Sequence, residues 1–78
     1  MATPYHIKVT PNAQKQIRAL APKMQKTIIQ LAEALAINPR PPTAEKIEGM
    51  MGLYRQGLHP LSLLYKIEDQ NVLLLAVY

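Results

Sequence analysis

Apolar and polar residues alternate through residues 61–67, with Leu61, Leu63, Tyr65 and Ile67 on one face and Ser62, Leu64 and Lys66 on the other. A period of two is the signature of a strand with one face on a core. After the polar turn Glu68-Asp69-Gln70-Asn71, residues 72–78 are apolar on both faces. That pattern predicts a strand central in a sheet, or one covered by something the chain itself does not supply. Upstream, Leu53-Tyr54-Arg55-Gln56 reads as a third strand, set off by Gly57 and Pro60. The last third of the chain is therefore a three-stranded meander, and the rest is the layer that packs on it.

Tyr5-His6-Ile7-Lys8-Val9-Thr10 also alternates, so Tyr5, Ile7 and Val9 should face inward from a first strand. Thr10-Pro11 then marks a helix start: the threonine hydroxyl takes an orphan N–H, and proline at the first helical position has none to lose. Ala13, Ile17, Leu20 and Ala21 follow at helical spacing. Ala21-Pro22 breaks this helix and opens a second, whose apolar stripe is Met24, Ile28, Leu31, Ala32 and Leu35. The stripe is core material rather than a cofactor box. Asn38-Pro39 ends the second helix, Arg40-Pro41-Pro42-Thr43 is a stiff extended connection, and residues 44–49 are too short and charged to assign. The order strand, helix, helix, strand, strand, strand predicts an α+β fold of two layers, a helical hairpin packed on a mostly antiparallel four-stranded sheet.

Length confines this to one domain spanning residues 1–78. A chain of this size buries only about 60% of its unfolded surface, so a deep enclosed cavity is not expected. The absence of cysteine removes disulfides, thiolate nucleophiles and cysteine-based zinc sites together. No apolar run approaches the roughly 18–20 residues of a membrane span, and the first ten residues lack a signal-peptide core. A soluble cytoplasmic domain without a membrane role is the expectation. The net charge of +4 is uneven: Lys8, Lys15, Arg18, Lys23, Lys26 and Arg40 face Glu33 alone in the first half, whereas Lys46, Arg55 and Lys66 meet Glu45, Glu48, Glu68 and Asp69 in the second. A basic half invites a polyanion or an acidic partner, although solvated helix faces account for much of it.

Chemistry-bearing residues are sparse. His59 precedes Pro60 between two strands, but sequence places no second acid or base beside it. His6 falls on the polar face of the first strand. The two histidines and scattered carboxylates have no metal-ligand spacing, and there is no glycine-rich phosphate loop, so neither a metal nor any other cofactor is expected. Tyr5, Tyr54, Tyr65 and Tyr78 have faces suited to stacking on bases, yet half-buried strand tyrosines are the commoner use. Tyr65 should pack in the core with its hydroxyl at the rim. Tyr54 and Arg55 have opposite strand parity and should not share a face.

Several segments together resemble the RelE/ParE superfamily of small toxins. They are Ile7-Lys8-Val9-Thr10-Pro11-Asn12-Ala13, Asn38-Pro39-Arg40-Pro41-Pro42, Ala44-Glu45-Lys46-Ile47-Glu48-Gly49, Gly52-Leu53-Tyr54-Arg55 and Leu63-Leu64-Tyr65-Lys66-Ile67-Glu68-Asp69. Each is weak alone; their order and spacing over nearly the whole chain carry the likeness. The resemblance implies a toxin of a type II toxin–antitoxin pair, neutralised by a cognate antitoxin that wraps around it. Many members cut messenger RNA on the ribosome, and the ParE branch inhibits DNA gyrase without cutting anything.

Cleaving RNA through its 2′-hydroxyl requires a proton acceptor, cations around the crowded phosphate and a proton donor for the leaving oxygen. RelE-like sites supply these mainly with Lys, Arg and a tyrosine. The resemblance carries the first basic residue of the second strand onto Arg55 and a basic residue of the Lys-x-x-Gly segment onto Lys46. It implies Arg55, Lys46 and Arg40 as RNA contacts. The second strand's other cation falls on Gly57, the third strand's Tyr-Arg pair on Leu61-Ser62, and a basic position on Glu48. The basic tail that follows the last strand in the family has no counterpart before the chain stops at Tyr78, whether that end is native or a truncation. Losing one preorganised cation slows such reactions by about 10²–10³-fold. The expectation is thus a toxin homologue that binds an antitoxin, with messenger-RNA interferase activity lost or much reduced. The last strand should offer that partner an edge, and the hairpin an apolar groove. Two alternatives stand beside it: an active ribosome-dependent interferase using Arg55, Lys46 and His59, and a ParE-like gyrase inhibitor. The short hairpin looks closer to the RelE branch.

Overall fold

The computed structural model describes residues 4–78, as β1 (His6–Val9), α1 (Pro11–Arg18), α2 (Pro22–Ile37), β2 (Ala44–Lys46), β3 (Leu53–Gly57), β4 (Ser62–Glu68) and β5 (Asn71–Val77). The strands form one sheet in the order β1-β5-β4-β3-β2. β1 runs parallel to β5, and every other neighbouring pair is antiparallel. The strand that is apolar on both faces, β5, lies between β1 and β4, which is what its composition requires. It is not an edge. The edges belong to β1 and β2, so the expectation that the last strand offers a partner its free edge is corrected.

The sheet has five strands rather than four, because Ala44–Lys46 pairs with β3. Three residues with two charges carry no alternation to read. The pairing is fixed instead by the turn, where Gly49 and Gly52 adopt positive φ of 80° and 77° and Ile47 N–H donates to the Leu53 carbonyl at 2.9 Å.

Both helices start as their sequences dictate. Thr10 Oγ1 accepts from Ala13 N–H at 3.3 Å and also donates to the Leu74 carbonyl at 2.9 Å, so the cap of α1 ties the helix to β5. Ala21 has no side chain with which to cap α2. Pro22 at the first position removes one orphan donor, and Gln25 Nε2 donates to the Leu20 carbonyl at 2.9 Å across the junction.

The helices cover one face of the sheet. Ala13, Ile28 and Leu35 meet Leu63, Tyr65 and Ile67 of β4 and Val72, Leu74 and Val77 of β5, all of them buried. Ile28 and Leu35 stand seven residues apart, two turns along one stripe. Tyr65 is fully buried, and its hydroxyl donates to the Pro39 carbonyl at 2.8 Å. The phenol is therefore not at a rim; it closes the base of the connection that leaves α2. Among the described residues no helix lies over the opposite face, on which the registers place Lys8, Leu73, Lys66, Leu53, Leu64, Arg55 and Glu45. A register shift after Leu64 adds Leu75 to that face.

Gly52 sits where a side chain has no room. A Cβ there would stand 2.7 Å from the Ile67 carbonyl oxygen, whereas a Cβ at Gly49 meets nothing within 4 Å. Both residues have positive φ, which alone disfavours alanine by about 1–2 kcal/mol. Gly52→Ala should therefore lower the urea midpoint clearly more than Gly49→Ala, and equal effects would refute the close approach of these two strands.

Candidate functional site

Position along β2 and β3 decides which cations meet. Glu45 pairs with Arg55, and Lys46 pairs with Tyr54. Successive residues point to opposite faces, so Arg55 projects to the open face and Lys46 to the face that carries the helices. The two basic residues singled out in the sequence are not brought together, and Tyr54 is separated from Arg55 as its parity required.

On the open side, a groove of about 350 Å³ is lined by Thr43, Glu45, Arg55, Gln56, Gly57 and Ser62. Gly57 pairs with Ser62, so two of the positions onto which the resemblance carried cations do converge on the groove that holds Arg55. They bring no charge to it. Arg55 Nη2 donates to Glu45 Oε2 at 2.7 Å, and this carboxylate, followed by the Tyr78 hydroxyl, raises the guanidinium's pKa above its ordinary value. Solvent reaches both partners, so the pair contributes little to stability. Its electrostatic consequence is larger. The one guanidinium in the groove faces an anion already, and a phosphate there would have to displace Glu45 or share the arginine with it.

The rest of the lining is fixed by neutral contacts. Gln56 is buried and joins the Thr43 hydroxyl, which donates to its Oε1 at 3.1 Å, while its Nε2 donates to the Gly57 carbonyl at 3.1 Å. Glu48 lies in the turn after β2 and does not line the groove; the carboxylate that does is Glu45, which no sequence motif marks. His59 is exposed in the loop between β3 and β4, and His6 is exposed on β1, three strands away from β3. Neither joins the groove. No group of His, Asp or Glu among the described residues is arranged to hold a metal ion.

Arg40 lies elsewhere. Its Nε donates to the Tyr54 hydroxyl at 3.3 Å, and its guanidinium carbon stands 6.0 Å from the centre of that ring. Tyr54 in turn stacks on Tyr65, with centroids 5.7 Å apart and ring planes 16° from parallel. The tyrosines thus form a ladder from the core to Arg40 rather than a platform for bases.

Next to the groove, the open face is apolar. Met50, Met51, Leu53, Leu64, Lys66 and Leu75 surround a depression of about 660 Å³, and Met51 is 92% exposed. A second, smaller hollow of about 250 Å³ lies beside the edge strand β1, between Val9, Ile17 and Ile29. Among the described residues no helix is long and apolar enough to cross a membrane.

The sequence model described as "ParE toxin of type II toxin-antitoxin system, parDE" matches residues 7–78, and the chain belongs to that family. It is a RelE/ParE-like toxin of type II toxin–antitoxin systems. Its fold is similar to the toxin–antitoxin complex RelBE2 from Mycobacterium tuberculosis, at 22% identity and TM-score 0.85, covering 100% of this chain and 93% of that one. It is also similar to the archaeal RelE–RelB complex from Pyrococcus horikoshii, at 21% identity, TM-score 0.85 and 95% and 92% coverage. The intact E. coli RelBE complex gives 22% identity, TM-score 0.82 and coverage of 94% and 93%. No curated protein sequence matches the chain.

Proposed function

We propose that this chain acts by binding a cognate antitoxin, and that RelE-type cleavage of messenger RNA is lost or much reduced in it. The observation that carries the second half is the groove: its single cation, Arg55, is 2.7 Å from Glu45, and Lys46 projects to the other face. A transition state with charge spread over phosphate oxygens draws its stabilisation from several donors already in place. One guanidinium shared with a carboxylate does not provide them.

The first half is supported by the uncovered apolar depression around Leu64 and Leu75, and by relatives solved with their antitoxins. An amphipathic helix laid over Met50, Met51, Leu53, Leu64 and Leu75 would bury an apolar face that nothing among the described residues covers. Co-expression with the short protein encoded beside it should yield a complex through purification. Leu64→Asp, which puts a charge in the middle of that face, should weaken the complex by at least tenfold while leaving the helical core untouched. Failure of the neighbouring protein to bind the wild-type chain removes this reading. Equal binding by Leu64→Asp removes the surface assignment. The basic, cytoplasmic character expected of such a toxin also suits a ribosomal or messenger-RNA encounter, which a cleavage assay tests separately.

A further inference from the structure

The chain has neither cysteine nor tryptophan, so its reactive sulfur is confined to four methionine thioethers. They are not alike. Met24 is half-buried on α2, and Met1 falls outside the described residues. Met50 and Met51 are 58% and 92% exposed, in the turn between β2 and β3. The flanking Gly49 and Gly52 have positive φ, and Leu53 N–H donates to the Met50 carbonyl at 3.3 Å. The turn is thus shaped by its backbone and its glycines, without burying either methionine.

Both side chains line the apolar depression with Leu53, Leu64 and Leu75, and neither belongs to the core under the helices. A change of chemistry at these two sulfurs therefore alters the open face and leaves the packed interior as it is. A thioether suits such a face, being apolar, polarizable and flexible enough to follow a partner's contour. A sulfoxide does not. Its oxygen is a strong acceptor, and burying it against an apolar helix without a donor is unfavourable. On the free chain the same oxygen is bathed in water and costs nothing.

We propose that Met50 and Met51 form an oxidation site, at which hydrogen peroxide makes sulfoxides that keep the partner of the open face from binding. This rests on the reading that an antitoxin helix covers that face. In the step itself a sulfur lone pair attacks one peroxide oxygen. The S–O bond forms as the O–O bond breaks, and water leaves; sulfur is oxidised and the peroxide reduced. The free chain is the substrate, because a helix over the depression shields both sulfurs. Oxidation is thus a brake on capture of the free chain rather than a means of opening an existing complex.

The test treats the full chain alone with hydrogen peroxide, desalts it, and titrates it with the short protein encoded beside it. Peptide mapping by mass should find an added oxygen on Met50 and on Met51 well before Met24, with the urea midpoint unchanged. Affinity should fall by at least about tenfold. It should return after incubation with the stereospecific methionine sulfoxide reductases and dithiothreitol. Met24→Leu should show the same fall. The double variant Met50→Leu/Met51→Leu, from whatever affinity it starts, should keep that affinity through peroxide. Unchanged affinity of the wild-type chain with both sulfurs oxidised overturns the inference and leaves the antitoxin reading standing. So does a fall that the double variant shares, that the reductases do not reverse, or that comes with a lowered urea midpoint. Oxidation of Met24 as fast as Met51 overturns the site assignment. A chain that fails to bind before any peroxide is added removes both readings at once.

Discussion

Replacing Tyr65 by alanine should remove a large share of the fold's stability, the largest stability effect expected of any single substitution here. Tyr65 is at the crossing of every layer: it is fully buried, stacks on Tyr54, packs among α2 and β5 residues, and donates to the Pro39 carbonyl at 2.8 Å. Truncating a buried aromatic ring to alanine costs about 3–5 kcal/mol. A chain of 78 residues has about 4–12 kcal/mol in all, at roughly 0.05–0.15 kcal/mol per residue. Tyr65→Phe keeps the ring and leaves the carbonyl of the buried Pro39 without its donor, a loss of about 1–3 kcal/mol. Far-UV circular dichroism against urea should rank wild type above Tyr65→Phe and Tyr65→Phe far above Tyr65→Ala. Equal midpoints for wild type and Tyr65→Phe would mean that the hydroxyl bond is not formed.

The same phenol gives the fold an alkaline limit. Burial, and after it the neighbouring Tyr54, pushes the Tyr65 pKa up from 10.0 to about 12, with Arg40 acting the other way. The folded state therefore favours the neutral phenol. Its contribution is fully present below the unfolded value of 10.0 and is lost as pH rises from there through about 12. Tyr65→Phe should flatten the fall in stability across that window.

Putting cations back into the groove should restore cleavage on the ribosome, the largest functional effect expected. The variant combines Gly57→Lys, Ser62→Arg and Glu45→Gln. Gly57 has open space where a Cβ would go, Ser62 is its partner across the ladder, and removing the Glu45 charge frees Arg55. Each positioned cation is worth about 10²–10³ in rate, so the combined variant should exceed the wild-type chain by at least 10². Two like charges directly opposite each other in a sheet weaken it by about 0.2–1 kcal/mol, which the scaffold can absorb. If cleavage stays at the wild-type level while the variant is folded, missing cations are not what separates this chain from an active toxin.

Much of this architecture is legible from short-range pattern. The Thr10-Pro11 helix start, the alternation through residues 61–67 and the two-sided apolar strand at 72–78 each map onto an element in the structure. What escapes the sequence depends on pairing between segments. Ala44–Lys46 is a strand only because a turn between Gly49 and Gly52 folds it onto β3. Once that register exists, Glu45 is opposite Arg55 and the groove's one cation is neutralised; without it, Glu45 is just another acid in a charged stretch. The Tyr65 hydroxyl looked destined for the rim because its partner is a backbone carbonyl, Pro39, twenty-six residues upstream. The edge was misplaced for the same reason. Nothing local to residues 72–78 reveals that β1 joins them in parallel and covers their outer side.

The central claim is that a toxin's scaffold persists here while its grip on a scissile phosphodiester does not. Mapping messenger-RNA 5′ ends on programmed ribosomes, with the wild-type chain in large excess, tests it most directly. The account predicts no cuts above the level without protein, and no change on Arg55→Ala. Strong codon-positioned cleavage that Arg55→Ala abolishes would contradict it.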